Sequence, residues 1–461
     1  MIYLIYLAVI ICMLAMFKVS RGYKIAIILL SESIFFLVKV PYIPYGAANY
    51  VIPIAFIVSE FPNLKRLLNS AKGKLVWKLM LLALFTIFIA LIFSPNLQDF
   101  TEFRGFFRRE ILFKYFLLIY AYWCYSDENS LKPTLKITTY AMIFITIMGI
   151  LNLITMKAEW VEIVMSGRDI AGGKSAEEFA TLFMHEERFR NQSVFQFAFD
   201  YGFFCIAILL LHLYAYTRKL ENAKTFVFVA LCCLFGIFTC GCRTVVLCAI
   251  ISLLCYYIMA NNLKKIINIA IISIPLLIIS YEFIPQVNKQ VNAMFTMFEA
   301  DESLGGSSIN GRLLQYTAVA YHIKDDWLFG RGVFYFAIDL NGKGAVSERV
   351  DKDLQGMEGV TSLYLLERGI IGYALYMSFW IWVYFYIRKR RRVAPRLAAF
   401  GCTLIISYIA FANMTGELNS LLYVLPLLGY ILKTLDIYNL QNKQNGRISN
   451  NCKLQHQTTD R

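Results

Sequence analysis

Charged residues are scarce in this sequence. They make up 16% of its 461 residues, whereas a soluble domain carries about 25%. Hydrophobic residues make up 58% of the chain. This shortage of charge excludes an ordinary soluble protein, because most of the chain is unsuited to face water. A β-barrel is excluded too, since barrel strands alternate apolar and polar residues over about ten positions, and the apolar runs here are continuous and of helical length.

Histidines are few, and metal-ligand sets and disulfide patterns are missing. The chain has 4 histidines and 11 cysteines, most of them inside apolar runs, where a thiol acts as a small hydrophobe. Cys240 and Cys242 form one close pair, with no second pair and no histidine nearby, so we expect no metal and no cofactor. The first apolar run, 1–17, lacks a preceding basic segment and a cleavage site, which predicts a retained helix rather than a signal peptide.

The apolar runs predict an all-α, polytopic transmembrane bundle of about 12–14 spans. They lie at 2–17, 25–39, 46–60, 75–93, 111–125, 135–155, 194–216, 225–240, 244–260, 266–283, 361–386, 397–412 and 420–433. No internal repeat and no discontinuous helix is visible in them. The chain therefore divides into N-terminal helices (1–156), a first loop (157–193), central helices (194–283), a second loop (284–360), C-terminal helices (361–433) and a tail (434–461), expected to be largely disordered from about Gln441.

The basic clusters predict the orientation of the bundle. The net charge of +14 is distributed in short clusters between apolar runs, which does not indicate nucleic-acid binding. The densest cluster, 388–392, belongs in the cytoplasm, and counting spans from it brings the clusters at 18–24, 65–74, 218–224 and 264–265 to the same side. The two long loops then lie on the outer side. Their arginines are not explained by the charge rule, which applies to short loops.

The second loop contains one predicted amphipathic helix, at 309–324. An apolar face of Leu313, Leu314, Thr317, Ala318 and Tyr321 recurs at helical spacing and is expected to meet the membrane surface or the bundle. Asp325 and Asp326 are predicted to end the helix. Neighbouring residues on a helix point apart, so the two carboxylates suit neither a metal site nor an acid/base pair.

Several short segments carry a recognisable pattern. They are RFRNQS at 188–193, GCRT at 241–244, NGR at 310–312, WLFGRG at 327–332 and SLYLLERGIIG at 362–372. In this order and with this loop placement, over residues 188–386, they resemble the O-antigen polymerase and O-antigen ligase superfamily of bacterial envelope proteins.

The resemblance implies a metal-independent, membrane-embedded glycosyltransferase of the bacterial inner membrane, with its active site on the outer (periplasmic) side. Its donor would be a glycan on undecaprenyl diphosphate. A polymerase transfers the growing glycan to another lipid-linked repeat unit, for O-antigen, capsule or exopolysaccharide, whereas a ligase transfers it to lipid A–core. A chain-length regulator and other envelope-glycan proteins are the further partners implied, beside the lipid bilayer.

The outer arginines are the candidate site. Arginine is always charged and grips phosphate oxygens through two donors, so it suits a departing diphosphate. Arg243, wedged between two apolar runs, is expected to face the bundle interior, the alternative being that it extends to the headgroups. Arg188 and Arg190 lie just before a span, Arg312 lies at the start of the amphipathic helix, and Arg331 is a further diphosphate ligand. The alternative for each of these loop arginines is a solvated charge without a functional role.

A base must also take the proton of the acceptor hydroxyl. Ligases carry a histidine just before the motif at 362–372, and none is present at 356–362, which favours a polymerase and makes Glu358 a candidate base. His322 and the Glu186–Glu187 pair remain open. A transporter or flippase of polar lipids is the alternative from another class, disfavoured by the lack of visible repeats or broken helices.

Overall fold

The computed structural model describes residues 2–35, 51–98, 100–107, 115–165, 184–185, 188–262, 309–335, 359–415 and 420–459, with isolated residues elsewhere. These parts are almost entirely helical. The helices are α1 (Ile2–Lys18), α2 (Arg21–Ile34), α3 (Ile52–Glu60), α4 (Leu64–Ala71), α5 (Leu75–Ile92), α6 (Phe100–Phe107), α7 (Phe116–Cys124), α8 (Lys132–Thr155), α9 (Glu159–Met165), α10 (Ala198–Thr217), α11 (Ala223–Thr239), α12 (Arg243–Met259), α13 (Ile309–His322), α14 (Val360–Arg388), α15 (Pro395–Thr415) and α16 (Leu421–Thr459). Two short antiparallel strands, β1 (Met184–His185) and β2 (Arg188–Phe189), pair in the first loop.

Within those parts, six helices are long and apolar enough to cross a membrane, by length and composition: Leu75–Ile92, Glu128–Thr155, Ala198–Thr217, Val360–Arg388, Pro395–Thr415 and Leu421–Gln441. Three shorter apolar helices lie at Tyr3–Lys18, Ala223–Thr239 and Arg243–Met259. The chain is therefore a multi-pass helical membrane protein. The count of 12–14 spans stays a prediction, because the run at 266–283 lies almost wholly outside the described residues.

Helix α10 forms the centre of the bundle, with 94% of its most apolar window buried. It packs against α8, α11, α12, α15 and α16. Around this centre, α14 packs on α15 and α5, and α7 packs along α16. A helix that is apolar on all sides is suited to such a position, because no face of it requires water.

Charged and polar side chains join the ends of several helices at one end of the bundle. Lys24 donates to Glu60 at 2.6 Å, Arg218 to Glu128 at 2.8 Å, and Arg391 donates to Asn261. Three of the predicted basic clusters, 18–24, 218–224 and 388–392, thus have residues at this end. The cluster at 65–74 follows Glu60 closely in the chain and lies there too. We call this end of the bundle the basic end. Which membrane face it meets stays a prediction.

Helix α13 lies against α14. Gln315, Ala318 and Val319 of the helix are buried, as is Ile323 just after its last residue, His322, and Ala318, Val319 and Ile323 pack with Leu366 of α14. Of the predicted apolar face only Ala318 is buried, and Leu313, Leu314 and Tyr321 are exposed. The exposed leucines and tyrosine leave the predicted contact with the membrane surface as a prediction.

Helix α16 runs from Leu421 to Thr459 and contains Pro426. The disorder that the sequence predicts from about Gln441 stays a prediction.

Candidate functional site

Residues 190–197, between β2 and α10, form a non-helical segment inside the bundle. Residues 191–195 are at most 1% exposed. Asn191 donates through its side chain to the carbonyl of Gly149 at 2.9 Å, and Ser193 donates to the carbonyl of Ile145 at 2.6 Å. Asn152 donates in turn to the carbonyl of Ser193 at 3.1 Å. Irregular backbone is tolerated at membrane depth only where protein groups hydrogen-bond to its N–H and C=O groups or a cavity lies beside it. Here side chains of the segment and of α8 supply such hydrogen bonds.

The same segment is joined to the turn between α11 and α12. The backbone N–H of Asn191 donates to the carbonyl of Thr239 at 3.4 Å. Gly241 makes the turn with a φ of 68°, in the left-handed region that glycine adopts without steric cost. We call residues 190–193 and 239–243 the junction cluster.

Two of the predicted arginines belong to the junction cluster. Arg243 is the first residue of α12 and is half-buried. Arg190 is half-buried and lies close enough to Cys240 to interact with it electrostatically. The structure therefore brings Arg190 and Arg243 to one turn, although 52 positions separate them along the chain. Arg188 contributes its backbone to β2, and its side chain lies outside the described residues.

Gln192 is a member of this cluster that the sequence did not single out. It is 0% exposed, and neither polar atom of its side-chain amide has a hydrogen-bond partner among the described residues. The buried hydroxyl of Tyr201 lacks a partner in the same part of the chain. Buried polar groups are nearly always hydrogen-bonded, so each of these two side chains is expected to have a partner that the described residues do not supply.

A second feature is a break in α14 at Gly369, whose φ of 63° and ψ of −169° are non-helical. The turn at 327–332 fills the break. Arg331 and Gly332 donate backbone N–H groups to the carbonyls of Leu366 (2.8 Å) and Glu367 (3.0 Å), and Ile370 and Ile371 donate to the carbonyls of Trp327 (3.0 Å) and Leu328 (3.1 Å). We call this arrangement the interlock. It joins two motifs of the sequence by main-chain bonds, and it corrects the expectation that no helix is discontinuous.

The interlock requires glycine at both contact points. A Cβ on Gly330 would lie 2.5 Å from the backbone nitrogen of Gly369, and a Cβ on Gly369 would lie 2.4 Å from the carbonyl oxygen of Leu328. Both residues have positive φ. The two glycines are therefore fixed by close approach and by backbone conformation together.

The arginines of the interlock hold it in shape. Arg331 donates through Nε to the carbonyl of His322 at 2.7 Å and pairs with Asp326 at 2.7 Å. Arg368 is 6% exposed, and its guanidinium carbon lies 4.3 Å from the ring centroid of Tyr364. Arg331 is thus engaged with its own turn.

An open cleft lies beside the interlock. Its volume is about 610 Å³, and its lining includes Asn96, Asp325, Trp327, Arg331 and Tyr335. Trp327 is 51% exposed. An exposed indole among amide, carboxylate and hydroxyl groups is suited to a polar ligand that also has an apolar face. We call it the outer cleft, because the basic clusters predict that this end of the bundle lies on the outer side.

The remaining candidates are only partly visible. Glu358, Glu186 and Glu187 lie outside the described residues, as does the side chain of Arg312, whose backbone belongs to α13. His322 is half-buried, and its Nε2 has no hydrogen-bond partner among the described residues.

Metal-ligand geometry and similarity to known proteins complete the description of the site. In the described part of the chain, no group of three or more His, Cys, Asp or Glu side chains is arranged to hold a metal ion. No protein-family model matches the chain, and no curated protein matches it. Its class, a multi-pass helical membrane protein, therefore rests on its own helices.

Proposed function

We propose that this protein polymerises lipid-linked oligosaccharide repeat units. It would transfer the growing glycan from undecaprenyl diphosphate to a sugar hydroxyl of another lipid-linked unit. The observation that carries the proposal is the junction cluster, in which two arginines and a buried amide that has no hydrogen-bond partner among the described residues lie at one turn, at the end of apolar helices. The order of motifs over 188–386, which resembles the polymerase and ligase superfamily, supplies the chemistry.

The proposed reaction is a one-step displacement with inversion. The acceptor hydroxyl oxygen bonds to the anomeric carbon of the donor, the bond from that carbon to the phosphate oxygen breaks, and the diphosphate leaves with the electron pair. Arg190 and Arg243 would bind the phosphate oxygens and stabilise the developing charge. One such donor is typically worth about 2.7–4 kcal/mol, or about 10²–10³ in rate. Glu358 is the proposed base for the hydroxyl proton.

The outer cleft would hold the sugars of a lipid-linked unit. Trp327 offers an apolar ring face, and Asn96, Asp325 and Tyr335 offer hydrogen-bonding groups beside it. This division, arginines for the diphosphate and an aromatic cleft for sugars, matches the two chemically different parts of the donor.

A polar-lipid transporter is the second candidate, and one observation favours it. Transporters use discontinuous helices, and α14 is interrupted at Gly369. In transporters the freed backbone groups bind substrate or ion, whereas here the turn at 327–332 occupies at least four of them. That difference makes the polymerase the better-supported proposal.

The test is polymerisation in vitro by the purified full-length protein, with a defined undecaprenyl-diphosphate-linked repeat unit. We expect Arg243→Ala to lower the rate about 10²–10³-fold, and Arg243→Lys to recover part of it, because lysine keeps the charge but not the bidentate grip. Arg392→Ala, the same change at an exposed position of the basic end, is the matched control and should leave the rate unchanged.

Two results would refute the proposal. One is polymer of normal length and yield from Arg243→Ala at equal protein level. The other is wild-type protein that moves the lipid-linked unit across vesicles without joining units, which would indicate the transporter.

A further inference from the structure

A cavity of about 300 Å³ opens at the basic end of the bundle. It lies between the start of α5, the last turns of α14 and the middle of α16. Its lining includes Lys74, Lys78, Tyr386, Arg390 and Asp436. Gly73 also lines it, and a Cβ there would meet nothing within 4 Å, so the space is open beside the backbone. We call it the basic cleft.

Positive charge exceeds negative charge among the described residues of this cleft. Lys74, Lys78 and Arg390 line it, and Lys433 interacts electrostatically with Lys74 next to it. Asp436 is the one carboxylate among the described residues of the lining, and it accepts hydrogen bonds from Tyr122 at 2.7 Å and from Tyr386 at 2.5 Å. Four cations thus face one carboxylate that is already hydrogen-bonded twice. Such a cleft is complementary to an anion.

Arg390 is held in position to bind that anion. Its guanidinium carbon lies 3.3 Å from the ring centroid of Tyr386, and its Nη1 donates to the carbonyl of Tyr386 at 2.9 Å. Its buried Nε finds no acceptor among the described residues. Stacking and one hydrogen bond fix the plane of the guanidinium, which lowers the entropy lost when it binds phosphate.

An apolar surface continues from the basic cleft along the outside of the bundle. Lys78 lies on the exposed face of α5, one turn before Leu81 (49% exposed) and two turns before Phe85 (52% exposed). Trp382 lines the cleft from α14 and is 42% exposed. Lysine on a lipid-facing helix directs its ammonium toward the headgroup level. The occupant must therefore combine a phosphate with long apolar chains.

We propose that the basic cleft binds the headgroup of an anionic phospholipid. Its phosphate lies between Lys74, Lys78 and Arg390, and its acyl chains lie along Leu81, Phe85 and Trp382. Basic pockets between transmembrane helices are a known form of lipid recognition. The inference does not depend on the polymerase proposal, because the basic cleft is at the opposite end of the bundle from the junction cluster.

Trp382 provides a direct readout of occupancy. The full-length protein is reconstituted in phosphatidylcholine vesicles with increasing shares of phosphatidylglycerol brominated in its acyl chains, or of equally brominated phosphatidylcholine. The fluorescence that Trp382→Phe removes isolates Trp382. We expect brominated phosphatidylglycerol to quench this signal at lower mole fractions than brominated phosphatidylcholine does.

Substitutions at Lys78 and Arg390 predict how much each cation contributes to the preference for phosphatidylglycerol. Lys78→Gln and Arg390→Gln should each weaken the preference for phosphatidylglycerol about fivefold, which is about 1 kcal/mol per cation at 1.4 kcal/mol per tenfold. Lys224→Gln, the same change at an exposed lysine of α11, is the matched control. Lys78 is exposed, so its substitution tests the proposal even where Arg390→Gln reduces folding.

Three outcomes would overturn the proposal. They are equal quenching by the two brominated lipids, an equal loss of preference in Lys224→Gln, and displacement of the phosphatidylglycerol effect by millimolar inorganic phosphate, which would assign the basic cleft to a soluble anion.

Discussion

The interlock between α14 and the turn at 327–332 predicts that Gly330→Ala destabilises the protein strongly. Gly330 has a φ of 74°, and the added Cβ would lie 2.5 Å from the backbone nitrogen of Gly369 and 2.6 Å from that of Arg368. Those atoms are backbone, so no flexible side chain can move aside to make room. The turn must separate from the helix break.

The magnitude follows from the bonds that the turn makes. An alanine at positive φ costs about 1–2 kcal/mol. Separation also breaks the bonds from Arg331 to Leu366 and from Gly332 to Glu367, the two next to Gly330 in the chain. Each of the two broken bonds, counted as one buried backbone group left without its partner, costs about 1–3 kcal/mol. We therefore expect Gly330→Ala to lose about 2–6 kcal/mol beyond the cost of the φ angle.

Gly73→Ala is the matched control. Gly73 also has a φ of 74°, but a Cβ there meets nothing within 4 Å, so only the conformational cost remains. The assay is thermal unfolding of the two purified variants and the wild type in the same detergent, with limited proteolysis to detect release of the turn. Equal melting temperatures for the two variants would refute the interlock as a source of stability.

Two further predictions concern buried polar groups. Gln192→Leu should leave the melting temperature unchanged or higher, since it removes buried polar atoms that have no partner among the described residues, yet abolish polymerisation; lost stability with normal activity would contradict a ligand-binding role. Glu60→Ala should lower the free energy of unfolding by about 3–5 kcal/mol, because it leaves the buried ammonium of Lys24 (6% exposed) without its carboxylate. The double variant Glu60→Leu with Lys24→Met should recover much of that loss. Denaturant titration of the wild type and both variants measures the two differences.

Much of the helical framework can be predicted from hydropathy alone. The runs predicted at 75–93, 225–240 and 244–260 correspond to α5, α11 and α12 within two residues at each end. Continuous apolar sequence of this length has few alternatives to a helix in a membrane. The same reasoning fails at 361–386, where the hydropathy is continuous but α14 is interrupted at Gly369. That break depends on a turn some 40 residues earlier, which a local pattern does not contain.

The candidate site was only partly predictable. Arg190 and Arg243 could be singled out as charges beside apolar runs, but their convergence depends on the bond between Asn191 and Thr239, which is tertiary. Gln192 lies in the motif at 188–193, but nothing in the sequence indicates that its amide has no hydrogen-bond partner among the described residues. Burial and hydrogen-bond partners are properties of the folded chain, so the sequence offers only the polar triplet 191–193 before an apolar run.

The two ends of the bundle solve the problem of polar groups near lipid in different ways. At the basic end, ion pairs such as Lys24–Glu60 and Arg218–Glu128 join helices that remain regular. At the opposite end, α14 is interrupted at Gly369, where main-chain hydrogen bonds from the turn at 327–332 close the gap, and the buried non-helical segment 190–197 precedes α10. Non-helical backbone in an apolar bundle is costly to maintain unless protein groups satisfy its polar atoms. We infer that the interruptions persist because they bring together groups that a regular helix keeps apart, and so the end that contains Arg190, Gln192 and Arg243 is where substrate chemistry is to be sought.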